Sequence, residues 1–287
     1  MLQDLEFGRL ENEYKNVEAT GEDVLFCFGG GKLLIRRNPD DTLELPRVAQ
    51  VLAQSERWEK WNDAPLQYIF RMHGVNYFLW MGQAREYQGD FSYETVRTLR
   101  QTVSKEVCFA AMTAWHLYVW YRNSRFCGNC GAKTVHDGKE RMMRCPECGN
   151  MIFPRISPAV IVGVTRGDEI LLTTYANREY KRYALIAGFT EIGETAEQTV
   201  AREVMEEVGL PVKNIRYYKS QPWGFESDLL LGFYCEVDEE AADSDQICRD
   251  EQELASAEWV KREDMPEYPE EISLTHEMMM TFKYRWM

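Results

Sequence analysis

The sequence lacks a long hydrophobic run, and it lacks an excess of positive charge. No stretch approaches the roughly 18 apolar residues of a membrane-spanning helix, and the acidic start MLQDLEFGRLENEY has no apolar core. We therefore expect a soluble cytoplasmic protein with no membrane partner. Lys and Arg number 33 against 47 Asp and Glu, and the resulting net charge of -14 disfavours broad binding to a polyanionic backbone.

The triple glycine Gly29-Gly30-Gly31 lacks the Lys-Ser/Thr of a phosphate-binding P-loop and the spacing of a dinucleotide fingerprint. We interpret it as a turn between two strands, because the apolar runs 23–28 and 33–35 flank it. The run 67–80 resembles a second strand pair, which turns around Gly74. Residues 1–90 are therefore predicted to form a β-rich domain. Apolar residues then recur mostly at threes and fours from 93 to 121, which predicts a connecting helix over 91–123.

The cysteines do not suggest a disulfide framework, because four of the eight form two CxxC pairs and the others are scattered. Two CxxCG knuckles separated by fourteen residues are typical of a tetrahedral Cys₄ zinc site. With four protein ligands such a site is closed, so we expect structural Zn²⁺ in a zinc ribbon over 124–153. The predicted ligands are Cys127, Cys130, Cys145 and Cys148. Nearby basic residues keep a nucleic-acid-binding ribbon open as an alternative; they are Lys133, Lys139, Arg141 and Arg144.

The segment 188–210, GFTEIGETAEQTVAREVMEEVGL, combines a turn with a capped helix. Thr195 and Gln198 have the spacing of a capping box, and Gly209 is placed to end the helix, so we predict a helix over 195–208. On a helical wheel the residues expected on the buried arc are Val200, Ala201, Val204, Met205 and Val208. The carboxylates expected on the opposite side are Glu203, Glu206 and Glu207.

Like charges one turn apart repel, so this acidic face favours a hard divalent cation with oxygen ligands. Arg202 is a candidate to offset part of the charge by pairing with Glu194.

The spacing Gly188-x₅-Glu194-x₇-REVMEEVGL resembles the Nudix box at every specified position. The resemblance implies a loop-helix-loop that holds Mg²⁺ or Mn²⁺ against the pyrophosphate of a nucleoside derivative. By this resemblance Glu203 and Glu207 are the principal metal ligands, and Glu206 is a further ligand or handles the proton of the attacking water. All three are therefore predicted catalytic residues.

Downstream, Ser220 to Asp228 reads SQPWGFESD, and it resembles the SQPWPFPxS motif of the zinc-ribbon NADH pyrophosphatase subfamily of Nudix hydrolases. The resemblance implies an α+β protein with a β-rich N-terminal domain, a zinc ribbon and an α/β/α Nudix sandwich over 154–287. By the same resemblance Glu253 and the backbone carbonyl of Ala187 are further metal ligands, with Glu251 as the alternative to Glu253. The implied substrate contacts are Glu140, Phe153, Phe189, Gln221, Pro222, Trp223, Phe225, Asp228 and Thr275.

Three positions of the downstream motif depart from the subfamily. Gly224 and Glu226 replace prolines, and Asp228 replaces a serine. We expect the absence of the two prolines to loosen the 221–228 loop, and the added carboxylates to be unfavourable near a diphosphate.

The leading hypothesis is hydrolysis of NAD(H) to nicotinamide mononucleotide and AMP by a homodimer, a state that the subfamily implies. The same cleavage would remove the cap at the 5′ end of an NAD-capped RNA. One alternative is a Nudix hydrolase of ADP-ribose or another nucleoside diphosphate derivative. Another is a non-catalytic nucleotide- or RNA-binding protein, although a pure binder needs no three-carboxylate cluster.

Overall fold

The computed structural model describes residues 1–5, 10–54, 65–83, 86–87, 89–100, 105–176, 182–241, 246–267 and 272–285. Its contacts define two compact units. The amino-terminal unit comprises Leu2–Arg155 and Gly224–Glu226, and the carboxy-terminal unit comprises Met1, Ile156–Trp223 and Ser227–Met287. The finer predicted division at residues 90, 123 and 153 stays a prediction. In the described chain, each helix is too short or too polar to cross a lipid bilayer.

The first part of the amino-terminal unit consists mainly of short strands. Its elements are β1 (Val24–Phe26), β2 (Phe28–Gly29), β3 (Lys32–Arg37), β4 (Leu43–Glu44), α1 (Val48–Leu52), β5 (Leu66–Met72), β6 (Val75–Trp80) and β7 (Ser92–Thr95). Strands β2 and β3 form a hairpin through Gly30 and Gly31, whose φ angles are 58° and 77°. Strands β5 and β6 form a second hairpin around Gly74. Both predicted strand pairs are therefore confirmed, and the triple glycine serves as a turn.

The predicted connecting helix is shorter than its periodicity suggests. Residues Ser92–Thr95 form β7, which pairs with β3, and Val96–Arg100 form a 3-10 helix. The α-helix α2 spans Lys105–Asn123. The prediction of helix from residue 91 was wrong because apolar residues at 93, 96 and 99 fit more than one local structure, and pairing with β3 decides between them.

Three short strands follow α2, namely β8 (Val135–His136), β9 (Met143–Arg144) and β10 (Met151–Ile152). They form an antiparallel sheet in the order β10-β9-β8. The four predicted cysteines lie together beside it, with all their Sγ atoms within 4.8 Å of one another. The Sγ atoms of Cys127 and Cys148 are 3.6 Å apart, and those of Cys130 and Cys145 are 3.4 Å apart.

This spacing fits zinc. Four thiolates at the usual Zn–S distance of about 2.3 Å lie roughly 3.8 Å apart in a tetrahedron. The module therefore has a structural zinc site, as its spacing predicts.

The carboxy-terminal unit is a sheet flanked by two helices. Its elements are β11 (Ser157–Arg166), β12 (Glu169–Tyr175), β13 (Ile186–Phe189), α3 (Ala196–Val208), β14 (Val212–Trp223), β15 (Asp228–Val237), β16 (Leu254–Lys261) and α4 (Leu274–Arg285). The strand order is β14-β15-β11-β12-β16, and β13 pairs with β11. The β11–β15 pair is parallel and the β14–β15 pair is antiparallel, so the sheet is mixed.

The side chains of β11 alternate between the two faces of this sheet, as a strand requires. Val160 and Val162 pack in the cluster that contains Val200 and Val204 of α3. Ile161 packs in a second cluster, which contains Met278 and other buried residues of α4. The predicted sandwich with a helix on each face is therefore confirmed. The sequence also predicts a helix over residues 273–286 and a solvated acidic loop over residues 238–245. Residue 286 of the first and residues 242–245 of the second lie outside the described residues.

The four-cysteine module has little apolar core of its own, so we expect its fold to depend on the metal. The Cys145→Ser variant should lose zinc, from about one ion per chain to near zero. Hydrogen exchange should then become fast for the amides of Gly131 and Gly149, which donate to the carbonyls of Cys127 and Cys145. Elemental analysis and exchange mass spectrometry measure both effects.

The matched control is Cys248→Ser, which changes an exposed cysteine outside the cluster. It should retain zinc and slow exchange. Full zinc occupancy in the Cys145→Ser variant would contradict the four-thiolate assignment.

Candidate active site

The box helix α3 begins and ends at the predicted residues. The Thr195 hydroxyl accepts a hydrogen bond from the Gln198 N–H at 3.2 Å, and Gln198 Oε1 accepts one from the Thr195 N–H at 2.8 Å. Gly209 has a left-handed φ of 70° and ends the helix. This reciprocal capping box satisfies two otherwise unpaired donors and fixes the position of the glutamates that follow.

The buried face of α3 includes two of the three glutamates. Glu203 is only 9% exposed and Glu207 only 4%, and both flank the buried valines 200, 204 and 208. Ala201 and Met205, which were predicted to be buried, are exposed. That assignment was wrong because the buried arc is centred between the valines and the two glutamates. Glu206 lies outside this arc and is exposed.

Arg202 connects the carboxylates around the helix. Its Nε donates to Glu194 Oε1 at 2.6 Å, which confirms the predicted pair, and its Nη1 donates to both Glu203 and Glu206 at 2.8 Å. Its Nη2 also donates to the Phe189 carbonyl at 2.8 Å. The hydrogen bonds from Arg202 hold the pKa of Glu194 down to about 2, so Glu194 stays ionised across the neutral range. The guanidinium thereby ties the preceding loop and strand β13 to the helix.

Gly188 is the residue that lets Glu203 approach β13. A Cβ atom at position 188 would lie 1.9 Å from Cδ of Glu203, which is far inside van der Waals contact. Strand β13 is fixed in this position by pairing with β11, where Gly188 lies opposite Val160. The glycine of the box is therefore required by a carboxylate that occupies the space of its missing side chain.

Burial and mutual repulsion raise the pKa values of the two inner glutamates. For Glu207 burial is the largest cause, the charges of Glu203 and Glu253 add to it, and the pKa rises to about 8. A backbone hydrogen bond from Ala187 acts in the opposite direction. The pKa of Glu203 is also raised, mainly by burial and further by Glu206 and Glu253, although its contacts with Arg202 oppose this shift.

These carboxylates fit a hard divalent cation. The charge of Glu253 acts on both Glu203 and Glu207, and the charge of Glu203 acts on Glu207. Carboxylate oxygens are the ligands that Mg²⁺ and Mn²⁺ prefer. The carboxylate oxygens lie farther apart than the cysteine sulfurs. Among the described residues, only the four cysteines place all their ligand atoms within 4.8 Å of one another. Arg202 holds Glu203 and Glu206, so a bound cation would replace part of its contacts.

The structure separates the two candidates for the outer acidic ligand. Glu253 is exposed, and its charge raises the pKa of both Glu203 and Glu207. Glu251 instead pairs with Arg249 at 3.2 Å. These charge interactions therefore favour Glu253 over Glu251 as the predicted ligand.

Two of the aromatic residues predicted to contact substrate have exposed side chains. Phe153 is 53% exposed and Phe189 is 56% exposed, so neither is a core residue. Glu140 is also exposed, and its N–H donates to Asp137 Oδ1 at 3.1 Å. Thr275 is half-buried in the first turn of α4.

Gln221 has a structural role that the motif did not reveal. Its side chain is fully buried, its Nε2 donates to the Ile272 carbonyl at 2.8 Å, and its Oε1 accepts from the Leu274 N–H at 2.7 Å. The amide thus holds the start of α4 against β14. Both ends of the amide are thus engaged within the fold, and a substrate contact by Gln221 stays a prediction.

The predicted 221–228 loop is largely strand. Pro222 and Trp223 end β14, Asp228 begins β15 with its side chain buried, and only the short turn 224–227 lies between. A Cβ at Gly224 would lie 2.5 Å from the Met112 carbonyl oxygen, so a proline ring would not fit. The departure from the subfamily motif at position 224 therefore has a steric reason.

The charge of the turn is compensated by residues that sequence reasoning missed. Glu226 pairs with Arg97 at 3.4 Å, and the guanidinium of Arg100 lies 5.6 Å from the centre of the Phe225 ring. These contacts and the close approach at Gly224 give the turn defined partners. The absence of the two prolines had instead predicted a looser loop. No linear signal connects Arg97 or Arg100 with a turn so distant in the sequence.

We expect Gly188→Ala to displace the Glu203 carboxylate and to weaken Mn²⁺ binding by roughly tenfold or more, about 1.4 kcal/mol. Isothermal titration calorimetry on the zinc-loaded chain measures this effect. The matched control is Gly138→Ala, since a Cβ there would meet nothing closer than 4.0 Å. Equal Mn²⁺ affinity in the two variants would show that the Gly188–Glu203 contact does not shape the cation site.

Two family models match consecutive parts of this chain. The NADH pyrophosphatase zinc ribbon domain matches residues 122–153, and the NUDIX domain matches residues 155–279. The first match contains the four-cysteine module, and the second contains the box helix and the flanking sheet.

Curated relatives and a solved structure are each similar to part of this chain. The NAD-capped RNA hydrolase NudC of Pseudomonas aeruginosa is 42% identical over 161 residues, which cover 56% of each chain. The NAD-capped RNA hydrolase NudC of Citrobacter koseri is 38% identical over 174 residues, or 60% of this chain and 66% of the relative. The matches thus span between about half and two thirds of these relatives. A NUDIX hydrolase structure from Nitrosomonas europaea covers 56% of this chain and 92% of its own, at 21% identity and a TM-score of 0.47.

The cysteine cluster and the box geometry lie within the two matched regions, in the same order along the chain. The chain therefore contains an NADH pyrophosphatase zinc ribbon domain followed by a NUDIX domain.

Proposed function

We propose that this chain hydrolyses the pyrophosphate of NAD(H), in a reaction that depends on Mg²⁺ or Mn²⁺ and releases nicotinamide mononucleotide and AMP. The observation that carries the proposal is the buried pair Glu203 and Glu207 beside Glu253, held in a NUDIX domain. The preceding domain matches a model named for NADH pyrophosphatase, and the relatives are named for hydrolysis of NAD-capped RNA. These names support NAD(H) over ADP-ribose as the substrate.

In this proposal Glu203, Glu207 and Glu253 hold the divalent cation, and the carbonyl of Ala187 is a further ligand. When bound, the cation polarises a phosphoryl oxygen and makes a bound water more acidic. Arg202 keeps Glu203 and Glu206 in place, and Gly188 leaves the space that Glu203 needs. In this proposal Glu206, which is exposed, accepts the proton of the attacking water or adds a ligand.

Substrate recognition would use the exposed aromatic faces. Phe153 and Phe189 each offer a ring on which a nicotinamide or adenine ring can stack. The remaining proposed contacts are Glu140, Pro222, Trp223, Phe225, Asp228 and Thr275. Because the pair with Arg97 offsets the charge of Glu226, a diphosphate meets less repulsion at this turn than the sequence suggests.

The same cleavage applied to an NAD-capped RNA would remove the cap, because the scissile pyrophosphate belongs to the terminal dinucleotide. We further propose a cytoplasmic homodimer as the working form. Analytical ultracentrifugation of the zinc-loaded chain tests the dimer, and a single monomer species at micromolar concentration would exclude it.

Product analysis tests the reaction directly. The zinc-loaded chain with Mn²⁺ should convert NADH to reduced nicotinamide mononucleotide and AMP, and should release the cap from NAD-capped RNA, as resolved by liquid chromatography. ADP-ribose and diadenosine polyphosphates serve as competing substrates. Preference for a substrate without nicotinamide would overturn the NAD(H) assignment.

Two glutamates that are close in sequence provide a matched test of the metal ligands. Glu253→Gln should lower kcat/KM at subsaturating Mn²⁺ by at least roughly tenfold, because it removes a charge that acts on both inner glutamates. Glu251→Gln removes the same charge from a residue that pairs with Arg249, and it should stay within about twofold of wild type. Steady-state rates across a Mn²⁺ titration measure both. Equal effects of the two substitutions would reject Glu253 as a ligand.

A further inference from the structure

One face of the four-cysteine module carries a row of exposed side chains that the proposed reaction does not use. Val135, Arg144 and Met151 lie side by side across β8, β9 and β10. Directly opposed residues of neighbouring strands project to the same face of a sheet. Val135 is 51% exposed and Met151 is 53% exposed, and Arg144 between them is also exposed.

Phe126 and Lys133 extend this row. They form an antiparallel bridge, and Phe126 is 59% exposed. Lys133 and Val135 are exposed while Thr134 between them is buried, which is the alternation expected of residues that share one face. We call Phe126, Lys133, Val135, Arg144 and Met151 the outer ribbon face. The guanidinium of Arg125 lies 5.9 Å from the centre of the Phe126 ring and adds a cation at its edge.

The charge of this segment opposes that of the chain. The whole chain has a net charge of -14, but residues 122–153 carry more cations than carboxylates. The cations are Arg122, Arg125, Lys133, Lys139, Arg141 and Arg144. The carboxylates are Asp137, Glu140 and Glu147. A zinc ion with four thiolates adds a formal charge of about -2, and the segment still stays positive.

The cation at the centre of the row can change partners. Arg144 Nη2 lies 3.4 Å from Asp137 Oδ2, which is a long and partly exposed pair. Asp137 Oδ1 also accepts hydrogen bonds from the backbone N–H groups of Lys139 and Glu140, at 2.8 and 3.1 Å. Arg144 can therefore turn to a phosphate while the Asp137 carboxylate keeps these two hydrogen bonds.

We propose that the outer ribbon face binds the single-stranded RNA that follows the cap; this inference rests on the capped-RNA reaction proposed above. Cations that contact phosphates, combined with an aromatic face on which a base stacks, are the usual means of binding single strands without sequence preference. Lys133, Arg144 and Arg125 supply the cations, and Phe126 supplies the ring. Because the rest of the chain is acidic, a polyanion is repelled elsewhere and attracted to this face.

The test compares capped RNA with NADH on the full zinc-loaded chain. The double variant Lys133→Glu/Arg144→Glu should lower kcat/KM for an NAD-capped RNA of about 20 nucleotides by roughly tenfold or more, and should leave kcat/KM for NADH within about twofold. For capped RNA, the slope of log kcat/KM against log salt concentration should become shallower by roughly 0.7 for each phosphate that the variant no longer neutralises. Phe126→Ala, which changes no charge, should lower the capped-RNA value by about fivefold or more because it removes the ring on which a base stacks.

The matched control is Lys261→Glu, which reverses an exposed charge at the end of β16 in the other unit. It should leave both substrates unchanged. NADH turnover and zinc content show whether each variant is folded. If the double variant does not fold, Phe126→Ala tests RNA binding at the outer ribbon face.

A second measurement does not depend on turnover. Fluorescence anisotropy with an uncapped RNA of the same length, without added divalent metal, should show weaker binding by the double variant than by Lys261→Glu. Equal RNA binding by these variants would contradict RNA binding at the outer ribbon face. An equal loss of kcat/KM for NADH and for capped RNA would also contradict it. If the double variant changes only self-association, the face contacts protein and the proposal is wrong. If the wild type cleaves neither substrate, the proposed function fails. The anisotropy measurement alone then tests whether the outer ribbon face binds RNA.

Discussion

Two carboxylates are buried against a strand that has a glycine, and therefore no side chain, at the point of contact. This burial is the constraint on which the candidate site depends. Glu203 and Glu207 lie on the face of α3 that packs on the sheet, where ionised groups are unfavourable without a partner. Gly188 provides the space for Glu203, and Arg202 provides a positive charge at its edge. The valines on either side fix the helix, so the glutamates cannot move out to solvent without opening the core. Stability is thus given up locally to keep two carboxylates together.

The second half of the motif region is organised by contacts that stabilise the fold. Gln221 holds the start of α4 through both ends of its amide, and Gly224 passes against the carbonyl of Met112. A linear motif shows which residues occur together, but it does not show what each side chain touches. A buried amide whose two ends are both bonded to backbone is a structural feature by its geometry.

Local patterns in the sequence predicted the elements that depend on local interactions. The capping box of α3, the hairpins around Gly30 and Gly74 and the four-thiolate module all follow from residues close together in the chain. The extent of α2 was overestimated because pairing of β7 with β3 is a long-range interaction. The burial of Glu203 and Glu207 was missed for a similar reason, since helical periodicity gives relative angles but not which arc meets the sheet. The partners of Glu226 could not be predicted, because Arg97 is distant in sequence and the pair forms only in the folded chain.

Arg202 also determines how the box is held together when no cation is bound. Since one guanidinium already satisfies Glu194, Glu203 and Glu206, the loop and helix remain connected when no cation is bound. An arriving cation exchanges one set of charge contacts for another and does not have to assemble the loop, so less of its binding free energy is spent on ordering the chain. The corresponding cost is a lower affinity for the cation, because every cation must displace the Arg202 guanidinium from part of its contacts. A protein built in this way would respond to changes in the concentration of the cation around it and would keep its shape throughout.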